Sequence, residues 1–125
     1  MRSEALNWLR KSESDLKHAN YSYEIKDFDW AQIASQQAAE KALKATCIHK
    51  GLGLIKIHEL TILARKVNAP QIIIMECGLL NPFYTSARYP DTAGFIDDDL
   101  NKEAAKDAIR AARKVVAWCR KQIRI

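Results

Sequence analysis

Apolar side chains recur at spacings of three and four along most of this chain, which is the pattern of amphipathic helices. A first helix is predicted over residues 2–24, with one face formed by Ala5, Leu9, Ser12, Leu16, Ala19 and Tyr23. Further helices are predicted over residues 30–49 and 59–68, from Pro70 onward, and over residues 101–124. Helices of this length with short connections favour an all-α fold, a four- to five-helix up-and-down bundle.

The ends of these helices are predicted from residues with known positional preferences. Asp27 or Asp29 is expected to cap the second helix, which is expected to stop near Gly51. Pro82 is expected to limit or kink the end of the fourth helix. An irregular stretch then follows over residues 86–99, and Asn101 is expected to cap the last helix.

The second helix has two apolar sides. Small residues form one stripe along it, comprising Ala31, Ala34, Ser35, Ala38, Ala42 and Ala45. Toward the opposite side lie Ile33, Leu43, Cys47 and Ile48. A helix with two apolar sides is buried or makes a second interface. We therefore predict that this is the central helix of the bundle and that its second side is available for self-association.

The composition fits one domain over residues 1–125, because a hydrophobic content of 48% can bury an ordinary core. The longest wholly apolar run, residues 72–75, is far shorter than the roughly 18 residues of a membrane span. Charged residues interrupt the N-terminus, so no secretory signal is expected. Three widely spaced cysteines suit neither a disulfide framework nor a zinc site, which favours reduced thiols in the cytoplasm. No cofactor is predicted.

The net charge of +5 resides in the last helix, because residues 102–125 carry +6 and the remainder −1. The side opposite its alanine-rich arc carries Lys106, Arg110, Arg113, Lys114, Lys121 and Arg124. A solvated face that keeps the protein soluble is the favoured interpretation. The alternative is a stripe that attracts the phosphates of RNA or nucleotide.

Arg88, Tyr89, Pro90 and Asp91 lie in the longest irregular stretch, and such stretches in compact domains are often functional. Pro90 restricts Tyr89 to extended geometry. An arginine can clamp a phosphate, and a tyrosine can stack on a base or donate a hydrogen bond. Tyr84 shares a side with Arg88 if the fourth helix continues that far. A structural Arg88–Asp91 ion pair that fixes the loop explains the same residues equally well.

Two further polar positions are candidates for chemistry. His58, at the start of the third helix, can act as a general acid or base near neutral pH, although capping or packing is the commoner role of such a histidine. Glu40 and Lys44 have the i,i+4 spacing of a helical ion pair. The functional alternative places Lys41 and Lys44 beside an anion site. No histidine has a partner at metal-ligand spacing.

Taken in order, these segments resemble the prokaryotic HEPN domain, whose name stands for higher eukaryotes and prokaryotes nucleotide-binding. The resemblance rests on residues 34–45 (Ala-Ser-Gln-Gln-Ala-Ala-Glu-Lys-Ala-Leu-Lys-Ala), 57–60 (Ile-His-Glu-Leu) and 87–91 (Ala-Arg-Tyr-Pro-Asp), followed by an alanine-rich last helix. It implies an up-and-down bundle that dimerises. It also implies a frequent partner, a small nucleotidyltransferase encoded next door in a toxin–antitoxin-like pair.

Many HEPN relatives are metal-independent ribonucleases, whose signature is an Arg followed, after four to six residues, by a His. This chain departs from that pattern, since its nearest such pair, Arg10 and His18, has seven residues between. We therefore expect a non-catalytic module that dimerises and binds nucleotide or RNA and a nucleotidyltransferase. The residues expected at the binding site are Arg88, Tyr89, Asp91, Lys41, Lys44 and Tyr84.

The alternative is a metal-independent ribonuclease with a non-standard site built from Arg88, Tyr89 and His58. In such a site the arginine would hold the scissile phosphate while the histidine or tyrosine moves the proton. A purely structural dimerisation domain is a third possibility.

Overall fold

The computed structural model describes the backbone of residues 2–88 and 98–124 and the side chains of residues 3–80 and 99–124. Within these ranges the chain forms α-helices and no strand. The helices are α1 (Arg2–Glu24), α2 (Phe28–His49), α3 (Leu60–Lys66), α4 (Gln71–Arg88) and α5 (Asp98–Ile123). The predicted all-α helical bundle is confirmed.

Helix α2 is the central element, because it packs against each of the other four helices. Its alanine stripe is buried, as predicted. Its second side is buried as well, and Leu43 and Cys47 join a core cluster with Leu60, Leu63 and Leu80 from α3 and α4. The prediction that this second side is available for self-association is therefore wrong, because the chain's own third and fourth helices cover it.

The two ends of α2 form as the sequence predicts. Asp27 is the N-cap, and its Oδ1 accepts a hydrogen bond of 3.2 Å from the backbone N–H of Trp30. At the other end Gly51 adopts a φ of +80°, the left-handed conformation that ends many helices. The N–H groups of Gly51 and Leu52 then donate to the carbonyls of Ile48 and Cys47, at 3.0 and 2.9 Å.

Two other helix ends differ from prediction. Helix α4 continues through Pro82 to Arg88, although an interior proline removes one backbone hydrogen bond and crowds the carbonyl four residues earlier. Helix α5 begins at Asp98, three residues before the predicted cap Asn101. The Asn101 amide instead donates to Asp29 Oδ1 at 2.8 Å and accepts from Gln32, so it joins the starts of α2 and α5.

The three cysteines are free thiols in the core. Burial raises the pKa of Cys77 and of Cys119 to about 12. Burial also raises the pKa of Cys47, against the opposing effect of Lys66 and Lys44. All three side chains therefore act as small apolar residues in this core. Across the described ranges, no helix is long and apolar enough to cross a membrane.

Candidate functional site

A group of polar side chains lies against the otherwise apolar helix α2, and we call Gln36, Glu40, Lys44 and His58 the Glu40 cluster. Glu40 is its centre. Its Oε2 lies 2.9 Å from Lys44 Nζ and 2.8 Å from His58 Nδ1. Its Oε1 accepts a hydrogen bond of 3.3 Å from Gln36 Nε2. The cluster thus confirms the predicted Glu40–Lys44 ion pair and adds two partners to it.

Three members of the cluster come from one face of α2, because Gln36, Glu40 and Lys44 are spaced four residues apart. The fourth comes from the extended segment before α3. There Ile55 and Ile57 pack partly buried against the core, while the alternate residues Lys56 and His58 are exposed. This alternation explains how the chain, after its reversal at Gly51, presents His58 to Glu40.

The Glu40 cluster is mostly buried and reaches the solvent at His58. The Lys44 and Glu40 side chains are only 8% and 12% exposed, whereas His58 is 66% exposed. Gln36 is 1% exposed, and its Oε1 has no hydrogen-bond partner among the described residues. Burying charged and polar groups costs free energy that an apolar side chain would not. The cluster is therefore poorly explained as packing.

The contact between Glu40 and His58 has a chemical consequence. When Nδ1 of a neutral imidazole donates to a carboxylate, Nε2 becomes the nitrogen that can accept a proton. The carboxylate also fixes the orientation of the ring. An exposed histidine oriented by a buried carboxylate can therefore bind a polar ligand or act as a general base.

Lys41 is not part of this cluster. Its Nζ lies 2.7 Å from Asp15 Oδ2, and the two side chains are 29% and 21% exposed. Lys41 therefore links α2 to α1, whereas Lys44 pairs with Glu40 within α2. The predicted place of Lys41 and Lys44 beside an anion site stays a prediction.

The remaining predicted site residues lie at or beyond the end of α4. Positions 84 and 88 fall on one side of this helix, because it continues to Arg88. The side chains of Tyr84 and Arg88, and the whole of Tyr89 and Asp91, lie outside the described residues. Their part in a site stays a prediction, as does the Arg88–Asp91 ion pair.

Sequence reasoning missed two features of the site. The contact between Glu40 and His58 joins residues 18 apart in the chain, so no local spacing indicates it. Gln36 was visible as a polar residue of α2, but only its burial distinguishes it from a solvated side chain. In the described part of the chain, no group of three His, Cys, Asp or Glu residues could hold a metal ion.

These features define an all-α bundle whose central, alanine-rich helix carries a buried polar cluster. The chain belongs to the HEPN domain family, whose sequence profile matches residues 5–122. A comparison with curated proteins finds no match.

Solved structures show the same fold. The chain is 28% identical to TT1696 from Thermus thermophilus, with a TM-score of 0.85 over 94% of this chain and 97% of that one. It is also 28% identical to ST0689, an archaeal HEPN homologue, with a TM-score of 0.78 over 95% and 97% of the two chains. The HEPN domain protein TM0613 from Thermotoga maritima, at 21% identity and a TM-score of 0.75, covers 92% and 95% and shares the fold.

Proposed function

We propose that this HEPN domain binds nucleotide or RNA through the Glu40 cluster, works as a homodimer and pairs with a small nucleotidyltransferase. The observation that carries the proposal is the buried Gln36–Glu40–Lys44 row that ends in the exposed His58. Buried polar groups are normally hydrogen-bonded, so the unpartnered Gln36 Oε1 favours a ligand over a purely structural role.

The position of the cluster also supports binding. Lys44 and Glu40 come from a rigid central helix, and such a helix holds side chains more accurately than a loop does. The segments that resemble other HEPN domains include residues 34–45 and 57–60, which supply all four members of the cluster. The Arg88–Tyr89–Asp91 segment is proposed to complete the site, with Arg88 clamping a phosphate.

An exposed apolar patch on α4 supports the homodimer. Ile72, Met75 and Leu79 are 60–62% exposed and follow the i, i+3, i+7 spacing of one helix face. The neighbouring acid Glu76 faces α5, with Oε1 3.8 Å from Lys114 Nζ. The three patch residues are themselves uncharged, so they can meet their own copies across a two-fold axis without like-charge repulsion. The nucleotidyltransferase partner rests on the family resemblance.

The binding site is tested with a fluorescent RNA pool, measured by anisotropy in EDTA. We expect His58→Ala and Arg88→Ala to weaken RNA binding at least tenfold, or about 1.4 kcal/mol. His18→Ala and Arg65→Ala are matched controls, because both residues are exposed and neither is a member of the cluster. If the His58→Ala and His18→Ala variants bind RNA with equal affinity, the Glu40 cluster is not the binding site.

The partner is tested separately. We expect the gene beside this chain's to encode a small nucleotidyltransferase, which is co-purified with the tagged wild-type chain and mixed with it at known concentrations for calorimetry. We expect a stoichiometric complex. Two separately eluting proteins with no heat of binding would refute the partnership and leave the RNA-binding proposal standing.

A metal-independent ribonuclease is the second candidate, and the 2.8 Å contact from His58 Nδ1 to Glu40 Oε2 favours it. In this mechanism His58 Nε2 takes the proton of a ribose 2′-hydroxyl. The freed oxygen bonds to the adjacent phosphorus, and the 5′-oxygen leaves with its electron pair and takes up a proton. Arg88 would stabilise the charge on the phosphate. We expect the wild-type protein and the His18→Ala variant to cleave an RNA pool in EDTA and the His58→Ala variant to leave it intact. RNA that stays intact after prolonged incubation with the wild-type protein refutes the ribonuclease hypothesis.

A further inference from the structure

A groove runs between α1 and α5, on residues that belong neither to the Glu40 cluster nor to the apolar patch on α4. It contains two depressions that meet at Asn20. The first has a volume of about 270 Å³ and is lined by Asn20, Tyr23, Lys106, Ile109, Arg110 and Arg113. The second has a volume of about 370 Å³ and is lined by Glu13, Leu16, Lys17, Asn20 and Arg120. We call the two together the α1–α5 groove.

The α1–α5 groove is long. On α5 its lining extends from Lys106 to Arg120, which corresponds to about 21 Å along the helix axis. Two contacts cross it, from Arg113 to Asn20 Oδ1 at 2.9 Å and from Arg120 Nε to Glu13 Oε2 at 2.7 Å. The two helices therefore run antiparallel along its whole length. A groove between two helices accepts a third helix laid along it.

The exposed part of the lining is cationic. It carries five basic side chains and one acid, Glu13. The Glu13 carboxylate is already shared, because it accepts from Arg120 at 2.7 Å and from Arg124 at 3.3 Å. Lys17 and Lys106 are exposed and pair with no acid among the described residues. This excess of positive charge attracts an acidic partner.

The less exposed part of the lining is apolar. Leu16 and Tyr23 are half-buried and lie seven residues apart, which is two turns of α1. Ile109, 6% exposed, lies beside them on α5. The Tyr23 ring packs against Phe28 with centroids 5.5 Å apart, so it is held in place before any partner arrives. Two apolar contacts at this spacing match residues i and i+7 of a helix that lies along the groove.

The arrangement fits a polypeptide better than it fits RNA. Arg113 and Arg120 are already hydrogen-bonded to side chains of α1, so fewer cations are free for a charged polymer than the composition suggests. The Glu13 carboxylate between Arg120 and Arg124 repels phosphate. An RNA backbone carries a charge at every nucleotide and has no aliphatic face, whereas an amphipathic helix has an apolar stripe between charged sides.

We propose that the α1–α5 groove docks an acidic amphipathic helix of a partner protein. Apolar residues of that helix pack against Leu16 and Tyr23. Its flanking carboxylates pair with Lys17, Lys106 and Arg110. About 14 residues of helix span the groove. The inference goes beyond the function proposed above, because it uses no residue of the Glu40 cluster and requires neither RNA nor a nucleotidyltransferase.

The test uses a synthetic, helix-stabilised peptide of about 14 residues, with two leucines seven residues apart and glutamates on both sides of them. Its binding to the wild-type chain is measured by fluorescence anisotropy at low salt. We expect the affinity to fall as salt is added, because the flanking contacts are ionic. Replacing both leucines by serine should weaken binding about tenfold or more. Replacing the glutamates by lysine should abolish it, because like charges then face each other.

Variants of the chain locate the peptide. Lys106→Gln and Arg110→Gln are each expected to weaken binding of the glutamate peptide about two- to fivefold, as for exposed ion pairs. Lys121→Gln is the matched control. Lys121 lies two turns after Lys114, whose Nζ is 3.8 Å from Glu76 Oε1 of α4, so it lies on the α4 side of α5. This variant should bind the peptide as the wild-type chain does.

Three results would overturn the proposal: no peptide binding at millimolar concentration, equal binding of the serine and leucine peptides, or an equal loss of affinity in Lys121→Gln and Lys106→Gln. RNA provides the last control. An RNA pool added to the peptide complex should leave the peptide bound. If RNA displaces the peptide, the groove is a nucleic-acid surface and the proposal is wrong.

Discussion

Replacing Glu40 by glutamine should destabilise the protein far more than an ordinary ion-pair change. The substitution keeps the size of the side chain but leaves the Lys44 ammonium, 8% exposed, without its counter-charge. Breaking a fully buried pair costs about 3–5 kcal/mol, whereas an exposed pair is worth about 0–1 kcal/mol. Because the amide can still accept a hydrogen bond, we expect a loss of about 2–3 kcal/mol in the free energy of unfolding.

The assay is urea unfolding followed by circular dichroism at one fixed protein concentration. Asp15→Asn is the matched comparison, because it breaks the more exposed Lys41–Asp15 pair at 2.7 Å and should lose about 1 kcal/mol or less. Adding Lys44→Met to Glu40→Gln should recover part of the loss, because it removes the unpaired buried charge. Equal losses for the two single variants, with no recovery in the double variant, would refute the buried-pair reasoning.

Three further outcomes are expected. Met75→Glu should convert the homodimer to a monomer in light scattering, because it places a charge in the apolar patch on α4. Tyr21→Glu, at an equally exposed position, should leave the dimer intact. If the Met75→Glu variant is still a dimer, that patch is not the dimer interface. Lys26→Gly should raise the free energy of unfolding by about 0.5–1 kcal/mol in urea unfolding, because Lys26 has a φ of +64°; a loss of stability would contradict this. Iodoacetamide should leave Cys77 and Cys119 unmodified in the folded protein at pH 8 but alkylate both in urea, because burial raises the pKa of each thiol to about 12 and alkylation needs the thiolate.

The thiols also predict how stability depends on pH. Their folded pKa values lie above the ordinary thiol pKa of 9.0, so the unfolded chain releases these protons first as the pH rises. The contribution of the protonated thiols to the free energy of unfolding is therefore complete below pH 9. It is lost progressively between pH 9 and about 12, by at most about 1.4 kcal/mol per thiol and pH unit. Replacing Cys77 by alanine should flatten this loss in urea unfolding measured across that range.

Much of the fold could be predicted because helix signals are local. The apolar spacing in α1, the Asp27 cap and the stop at Gly51 each depend on residues within a few positions of one another. The reach of α4 through Pro82 could not be predicted, because a proline inside a helical pattern is ordinarily a signal that the helix ends or kinks. The use of Asn101 as a link to α2 likewise depends on which helices become neighbours.

The site was predicted less completely for the same reason. The Glu40–Lys44 pair is a local i,i+4 contact and was visible in the sequence. The addition of His58 requires the chain to reverse after α2 and return along it. The ion pair of Lys41 with Asp15 joins residues 26 apart in the chain and was likewise not visible from local spacing. The second side of α2 was recognised as apolar, but its cover by α3 and α4 is a property of the whole bundle.

Chemical-shift mapping of the isotope-labelled protein, titrated with RNA in EDTA, tests most directly whether the Glu40 cluster binds a ligand. We expect the largest amide shifts in residues 36–44 of α2 and 57–60 before α3, and their loss in the His58→Ala variant. Shifts of the same size in His58→Ala, or saturating RNA binding that leaves both segments unperturbed, would contradict a binding site at this cluster.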